Sequence, residues 1–215
     1  MIKGVIFDMD GVLVDSEQYI CQAAIEMFKR KGLTVQPEDF KPFVGQGENA
    51  YIGKVAEKYN FPIDLDEAKA QTYQIYGEIT EGKLEPLPGV LDFMDKVREK
   101  GLKSAVATSA DEVKMEINLK NIGIPKESFA ATVNGLEVEH KKPAPDIFQV
   151  AARKMGLNPE DCLVVEDAVS GVEAAKRAGA RCLALTTSFN AEDLNKADWH
   201  AATLAEAPEE VLEWG

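Results

Sequence analysis

Short apolar runs recur along this chain, and their lengths predict a parallel β-sheet. The runs are rich in β-branched residues, and each is short enough to form a strand that is buried on both faces. The five predicted strands cover residues 3–7, 103–108, 129–133, 161–166 and 181–185.

Helical patterns fill the segments between the later strands. In the second of them, Val113 and Ile117 fall at helical spacing and predict an apolar face. Strand and helix alternate from 86 to 185, which predicts an α/β fold with helices on both faces of a Rossmann-like parallel sheet. The four predicted helices cover residues 91–100, 111–123, 144–156 and 172–179.

The segment 15–85 breaks this alternation. It contains no convincing buried strand and reads as consecutive amphipathic helices. We therefore predict a core domain of residues 1–14 and 86–215 and an inserted all-helical cap domain of residues 15–85. An insert at the carboxyl end of the first strand is well placed to cover a site there. Its predicted helices cover residues 17–32, 47–60 and 64–80.

Composition and charge restrict the possible partners. The chain has 215 residues, of which 45% are hydrophobic and 28% are charged, so it can bury a substantial core. Its formal net charge of −13 argues against nucleic acid and against an anionic membrane surface as partners. An anionic substrate would therefore need locally concentrated positive charge or a metal ion.

The cysteines and the hydropathy predict a location in the cytoplasm. Cys21, Cys162 and Cys182 form no CxxC pair, so the sequence indicates neither a disulfide framework nor a zinc site. Cys162 and Cys182 each open an apolar run, which predicts that they pack in the core. No apolar stretch approaches the ~18 residues of a membrane span. We expect a monomer that binds no membrane.

Polar residues stand at the ends of several predicted strands. Ligands of parallel sheets bind outside the carboxyl ends of the strands, so we expect these residues to meet in one crevice. Each motif alone has a plainer explanation, such as a solvated loop, a helix N-cap or a surface charge pair. The residues at the strand ends are Asp8 and Asp10, Thr108 and Ser109, and Glu166 and Asp167. One lysine of the pair Lys141-Lys142, just before a helix, would join them.

These residue types suit phosphoryl transfer. One carboxylate can be a nucleophile, and a second can donate and then accept a proton. Clustered oxygens suit Mg²⁺, while hydroxyls and a lysine suit a phosphate. A calcium loop of the EF-hand type is excluded, because Gly11 comes too early in the motif and a strand precedes it.

Four motifs together resemble those of the haloacid dehalogenase-like hydrolase superfamily. The similarity spans essentially the whole chain and is greatest to the β-phosphoglucomutase-like branch, which includes sugar-phosphate phosphatases. The matching segments are Asp8-Met9-Asp10-Gly11-Val12, Thr108-Ser109, Lys142-Pro143-Ala144-Pro145-Asp146 and Glu166-Asp167-Ala168-Val169-Ser170-Gly171.

The resemblance implies a role for each motif residue. Asp8 would be the nucleophile and Asp10 the general acid and base. Thr108, Ser109 and Lys142 would bind the transferring phosphate, and the neighbouring Lys141 would be exposed. Mg²⁺ would be bound by Asp8, the Asp10 backbone carbonyl and Asp167, with Glu166 close by and its direct contact to the metal left open.

The predicted cap departs from the mutase pattern. Ile20 stands where the mutases carry a histidine, and the loop from Phe43 to Asn49 contains Glu48 but no arginine. The cap residues Glu17, Gln46, Glu48 and Asn49 are either sugar contacts or solvated surface. We therefore expect a Mg²⁺-dependent phosphatase that acts on a small phosphorylated metabolite such as a sugar phosphate. The alternatives are a phosphohexomutase and a catalytically weak phosphate-binding module.

Overall fold

A six-stranded, fully parallel sheet lies at the centre of the computed structural model, which describes residues 1–44 and 47–214. The strand order of the sheet is β3-β2-β1-β4-β5-β6. The five predicted strands are confirmed, whereas β6 was not predicted because it is only three residues long and partly exposed. The strands are β1 (Gly4–Phe7), β2 (Lys103–Ala107), β3 (Ala131–Val133), β4 (Cys162–Glu166), β5 (Arg181–Leu185) and β6 (Trp199–Ala201).

Seven α-helices connect or flank these strands within the described ranges. All the predicted helices are present, although α7 begins three residues before its predicted start at residue 172. Pro145 occupies the N-cap position of α6, just before its first turn. The helices are α1 (Glu17–Arg30), α2 (Glu48–Lys58), α3 (Leu65–Thr80), α4 (Val90–Glu99), α5 (Glu112–Asn121), α6 (Asp146–Lys154) and α7 (Val169–Ala178).

Helices cover both faces of the sheet, as predicted. Ile6 of β1 points to one face, where it joins the apolar cluster of α6 and α7. Phe7 points to the other face, where its ring meets Phe93 of α4 at 6.0 Å between centroids. This alternation explains why β1 is apolar at every position. Cys162 and Cys182 are buried in the sheet, which confirms their packing role.

The register of the three central strands aligns their carboxyl ends. Phe7, the last residue of β1, pairs with Val106 of β2 and with Val165 of β4. The next residue, Asp8, still donates its backbone N–H to the Val165 carbonyl at 2.9 Å. The residues that follow β1, β2 and β4 therefore lie next to one another.

Helices α1 to α3 form the predicted insert between β1 and β2. Helix α1 packs against α3, and the ring of Phe28 contacts those of Phe40 and Phe61. The two segments that connect insert and core run side by side, because Val14 forms an antiparallel bridge with Pro86. The helical cap is thus present, while its division from the core at residues 15 and 85 stays a prediction.

Across residues 1–44 and 47–214, no helix is both long enough and apolar enough to span a bilayer.

Gly89 provides a test of how α4 is joined to the core. It precedes α4 with φ of 82°, and a Cβ there would collide with the backbone of Leu204 and Ala205. We expect Gly89→Ala to lower the free energy of unfolding by more than the ~1–2 kcal/mol typical of left-handed strain. Urea denaturation followed by circular dichroism measures the loss.

Gly101 is the matched control. Its φ is 68°, and an added Cβ would meet none of the described atoms within 4 Å. Gly101→Ala should therefore lower the free energy of unfolding only by the backbone strain. Equal losses for the two variants would show that the contact between Gly89 and the 204–205 backbone does not matter.

Candidate active site

A cavity of about 600 Å³ lies between the carboxyl edge of the sheet and the helical insert. The seven residues that the sequence analysis placed in one crevice all line it, with Lys142 as the lysine. From the core these are Asp8, Asp10, Thr108, Ser109, Lys142, Glu166 and Asp167. The residues that the insert contributes include Glu17, Ile20, Lys41, Phe43, Glu48 and Tyr51.

Lys142 connects two carboxylates at the centre of the site. Its Nζ lies 2.5 Å from Asp8 Oδ1 and 2.5 Å from Glu166 Oε1. Burial raises the pKa of Asp8 to about 7, although the charge of Lys142 opposes this shift. Burial alone would lower the pKa of Lys142, but the charges of Asp8 and Glu166 outweigh it and raise the pKa. Lys142 is therefore a fixed cation beside Asp8.

Glu166 already has donors for both of its oxygens. Oε1 is paired with Lys142, and Oε2 accepts hydrogen bonds from the backbone N–H groups of Asp167 and Ala168, each at 2.8 Å. The side chain is thus fixed at the end of β4 by the backbone that follows it. In this arrangement Glu166 orients Lys142.

Asp167 lies beside the loop that follows β1. Its Oδ2 accepts a hydrogen bond from the hydroxyl of Ser188, and the backbone of Gly11 passes so close that a Cβ there would overlap the carboxylate. Burial raises the pKa of Asp167, and the nearby charges of Glu166 and Asp8 raise it further.

The donor set fits a hard divalent cation. Within residues 1–44 and 47–214, no three His, Cys, Asp or Glu side chains already form a metal-binding group. However, Mg²⁺ commonly uses one or two carboxylates and retains several waters. The carboxylates of Asp8 and Asp167 with the backbone carbonyl of Asp10 supply such oxygens, and all three residues line the same cavity.

Thr108 and Ser109 follow β2 and are both buried. The hydroxyl of Thr108 accepts the N–H of Ala110 at 3.1 Å, which orders the turn before α5. The hydroxyl of Ser109 is buried but has no hydrogen-bond partner among the described residues. Because buried hydroxyls are almost always bonded, a ligand is the natural partner for Ser109.

Asp10 receives donors that the sequence analysis did not identify. Lys114 of α5 is only 3% exposed, and its Nζ lies 2.9 Å from Asp10 Oδ1. The same oxygen accepts the hydroxyl of Ser16 and faces Asn118 Nδ2 at 3.4 Å.

The prediction that Val113 lies on the apolar face of α5 is wrong, because Val113 is 50% exposed. Lys114 and Asn118, one helical turn apart, are buried instead beside Met115 and Leu119. Their i, i+4 spacing between apolar neighbours was the available signal.

Lys141 was predicted to be exposed, and this is also wrong. It is half-buried, it donates to the carbonyl of Gly135, and burial lowers its pKa. The choice of Lys142 as the residue that points into the cavity agrees with this geometry.

The insert supplies acidic residues to the cavity. Glu17 Oε1 accepts the hydroxyl of Tyr51 at 2.9 Å, and burial raises the pKa of Glu17 to about 7. Glu48 is buried, while Asn49 is exposed and accepts a hydrogen bond from Lys69. Gln46, another candidate cap contact, lies outside the described residues.

Comparison with known proteins identifies relatives of this architecture. Residues 5–185 match the family model described as haloacid dehalogenase-like hydrolase. The chloroplastic protein SUPPRESSOR OF QUENCHING 1 of Arabidopsis thaliana is 42% identical over 88% of this chain, which spans only 18% of that relative. The phosphorylated carbohydrates phosphatase of Thermotoga maritima is 30% identical, covering 98% of this chain and 97% of the relative.

A solved structure matches the whole molecule. The crystal structure of CbbY from Rhodobacter sphaeroides in complex with phosphate is 26% identical with a TM-score of 0.91, and the match covers 100% of both chains. A mutant of that CbbY has also been solved in complex with xylulose-(1,5)bisphosphate.

Neutralising Asp8 should stabilise the metal-free protein. The pKa of Asp8 rises from an ordinary value of 3.8 to about 7 in the folded state, so the folded chain binds more protons between these values. The contribution of Asp8 to stability therefore falls as the pH rises from about 4 to about 7. In EDTA, Asp8→Asn should raise the free energy of unfolding by roughly 1–3 kcal/mol above that window.

Urea denaturation at several pH values tests this dependence. The gain should be small near pH 4 and constant above pH 7. Asp92→Asn, at an exposed position of α4, serves as the control and should change stability by less than about 0.5 kcal/mol. A gain for Asp8→Asn that is independent of pH, or a loss of stability, would contradict the burial argument.

Proposed function

This chain belongs to the haloacid dehalogenase-like hydrolase family and is a phosphatase, and from that premise we propose that it hydrolyses a small sugar phosphate with Mg²⁺ through an aspartyl-phosphate. One observation carries the proposal: Asp8, Lys142 and the unpartnered hydroxyl of Ser109 face the same cavity. The phosphorylated-carbohydrate and phosphate ligands in the names of the relatives support the substrate class.

Asp8 is the proposed nucleophile. A carboxylate oxygen of Asp8 attacks the phosphorus atom, and the bond from phosphorus to the leaving oxygen breaks. Asp10 donates a proton to that oxygen, so that an alcohol leaves. Lys142, Thr108 and Ser109 contact the phosphoryl oxygens and stabilise the charge that they carry in the transition state.

Asp10 also acts in the second step. As a carboxylate, it takes a proton from a water molecule whose oxygen attacks the phosphorus atom. The bond between phosphorus and Asp8 then breaks, which restores the Asp8 carboxylate and releases inorganic phosphate. Asp10 Oδ1 is contacted by donors from Ser16, Lys114 and Asn118. The proposed proton transfers therefore use Oδ2.

Asp8, Asp167 and the Asp10 carbonyl are the proposed Mg²⁺ ligands. When bound, the metal supplies positive charge that lets an anionic nucleophile approach an anionic phosphate. We propose that Glu166 acts by positioning Lys142, because both of its oxygens already have donors. The cytoplasmic location and the monomeric state stay predictions.

Hydrolysis is favoured over mutase activity. A mutase must retain a bisphosphorylated intermediate, which requires a cation or donors on the cap side of the cavity. The cap positions Ile20 and Glu48 offer an apolar side chain and a carboxyl there, and the cap lysine at the cavity, Lys41, is mostly exposed and lies 3.9 Å from Glu38. We therefore propose that water is the acceptor of the phosphoryl group.

Phosphate release tests the proposed chemistry directly. The purified protein should release phosphate from 4-nitrophenyl phosphate and from members of a sugar-phosphate panel when Mg²⁺ is present, and EDTA should abolish this. Asp8→Asn should lower kcat by on the order of a thousandfold or more, because the nucleophile is lost. Asp92→Asn is the control. Full activity of Asp8→Asn would exclude the aspartyl-phosphate.

Lys114 should matter most for poor leaving groups. If Lys114 positions Asp10, Lys114→Met should lower kcat/KM for propyl phosphate by about tenfold or more. The same variant should change kcat/KM for 4-nitrophenyl phosphate much less, because 4-nitrophenolate leaves without a proton.

Lys120, in the last turn of α5 and exposed, provides the matched control Lys120→Met. Urea denaturation of both variants separates lost stability from lost catalysis. Equal loss of activity of Lys114→Met toward both esters would contradict a role through Asp10.

A further inference from the structure

We propose that Glu48 forms a subsite on the cap side of the cavity that binds the hydroxyl groups of the leaving alcohol. The enzyme would then prefer polyhydroxylated monophosphates and reject a second phosphate. This inference rests on the proposed phosphatase function and specifies the substrate class of that site.

The position of Glu48 carries the argument. It is the first residue of α2, it is only 6% exposed, and it lines the cavity that Asp8 and Lys142 line from the core. Its Oε2 has no hydrogen-bond partner among the described residues. A buried carboxyl oxygen without a donor is costly, and a ligand that brings a donor would remove that cost.

The surrounding charges specify what kind of donor fits. Burial raises the pKa of Glu48, and the charge of Lys114 opposes this shift. Lys114 itself is paired with Asp10, and Glu17 adds a second acidic group to the same side of the cavity. Lys41 also lines the cavity, but it is mostly exposed and lies 3.9 Å from Glu38. A phosphate placed there would meet acceptor oxygens, whereas hydroxyl groups would donate to them.

Cavity size is consistent with this arrangement. The volume of about 600 Å³ far exceeds what a phosphate bound at Lys142 and Ser109 would fill. The remaining space extends to Glu48 and Tyr51 of the insert, so a leaving group of several carbons can reach α2.

Tyr73 offers a competing explanation. Burial raises the pKa of its hydroxyl, and the charge of Glu48 and hydrogen bonding to Glu48 raise it further, so Tyr73 lies close to Glu48 although neither buried oxygen has a well-formed hydrogen bond in the described part of the chain. Glu48 could therefore serve the packing of α2 against α3 instead of a ligand. Tyr73 does not line the cavity, so the two explanations predict different effects for Tyr73→Phe.

Paired substrates test the subsite. We would measure kcat/KM with Mg²⁺ for sorbitol 6-phosphate and for hexyl phosphate, which share six carbons but differ in hydroxyl groups. In the parent protein, kcat/KM should be higher for sorbitol 6-phosphate than for hexyl phosphate. The ratio of these two values should fall by about tenfold or more in Glu48→Met, which removes the acceptor. Tyr73→Phe should leave the ratio unchanged.

A second variant tests the rejection of phosphate. Sorbitol 1,6-bisphosphate should be a poorer substrate than sorbitol 6-phosphate for the parent protein. Glu48→Gln preserves the shape of the side chain and removes its charge. This variant should reduce the ratio of kcat/KM for the monophosphate to kcat/KM for the bisphosphate several-fold. Turnover of 4-nitrophenyl phosphate and of hexyl phosphate by each variant verifies that the reacting centre is intact.

The other outcomes overturn the proposal in distinguishable ways. An unchanged polyol-to-alkyl ratio in Glu48→Met with intact 4-nitrophenyl phosphate turnover would refute the subsite and leave the phosphatase function standing. The same loss in Tyr73→Phe would assign Glu48 a packing role. If the parent protein preferred 2-aminoethyl phosphate to sorbitol 6-phosphate, the group that Glu48 binds would be a cation and not a hydroxyl group. No hydrolysis of any ester by the parent protein would refute both proposals.

Discussion

The arrangement of the site depends on one buried cation shared by two strands. Lys142 lies between Asp8, after β1, and Glu166, at the end of β4. Lys142 keeps Glu166 as its partner when Asp8 is neutralised, whereas removal of Lys142 would leave two buried carboxylates without a cation. The parallel register of β1 and β4 brings the two carboxylates side by side, and backbone N–H groups fix Glu166. The position of Lys142 then determines where an anion can bind.

Charge is divided across the cavity. On the core side, Lys142 and the hydroxyl of Ser109 lie among the carboxylates of the site, whereas the insert offers Glu17, Glu48 and the mostly exposed Lys41. We propose that a ligand with one anionic end and one hydroxyl-bearing end binds with its anionic end at Lys142 and Ser109. Its anionic end lies beside Asp8, which is where the proposed displacement takes place. The strongly negative net charge is thus compatible with an anionic substrate, because the cation that matters is local.

Sequence reasoning located the groups that follow strands and missed those that depend on helix orientation. The residues after β1, β2 and β4 could be predicted, because parallel strands align their ends and leave Asp8, Thr108 and Asp167 little freedom of position. Lys114 was missed because apolar periodicity assigned the inward face of α5 to Val113, whereas that face points partly toward a polar site. The unpartnered oxygen of Glu48 depends on how the insert packs on the core, which no local pattern encodes.

Asp10 is the residue at which core and insert meet. Ser16, the N-cap residue of α1, donates to the same carboxylate oxygen that Lys114 of the core contacts. Asn118 extends this network, since it accepts the hydroxyl of Tyr76 from α3 and faces Asp10. The proposed acid and base is therefore oriented by both parts of the molecule at once. Because both parts supply donors to one oxygen, the orientation of Asp10 depends on the contact between insert and core.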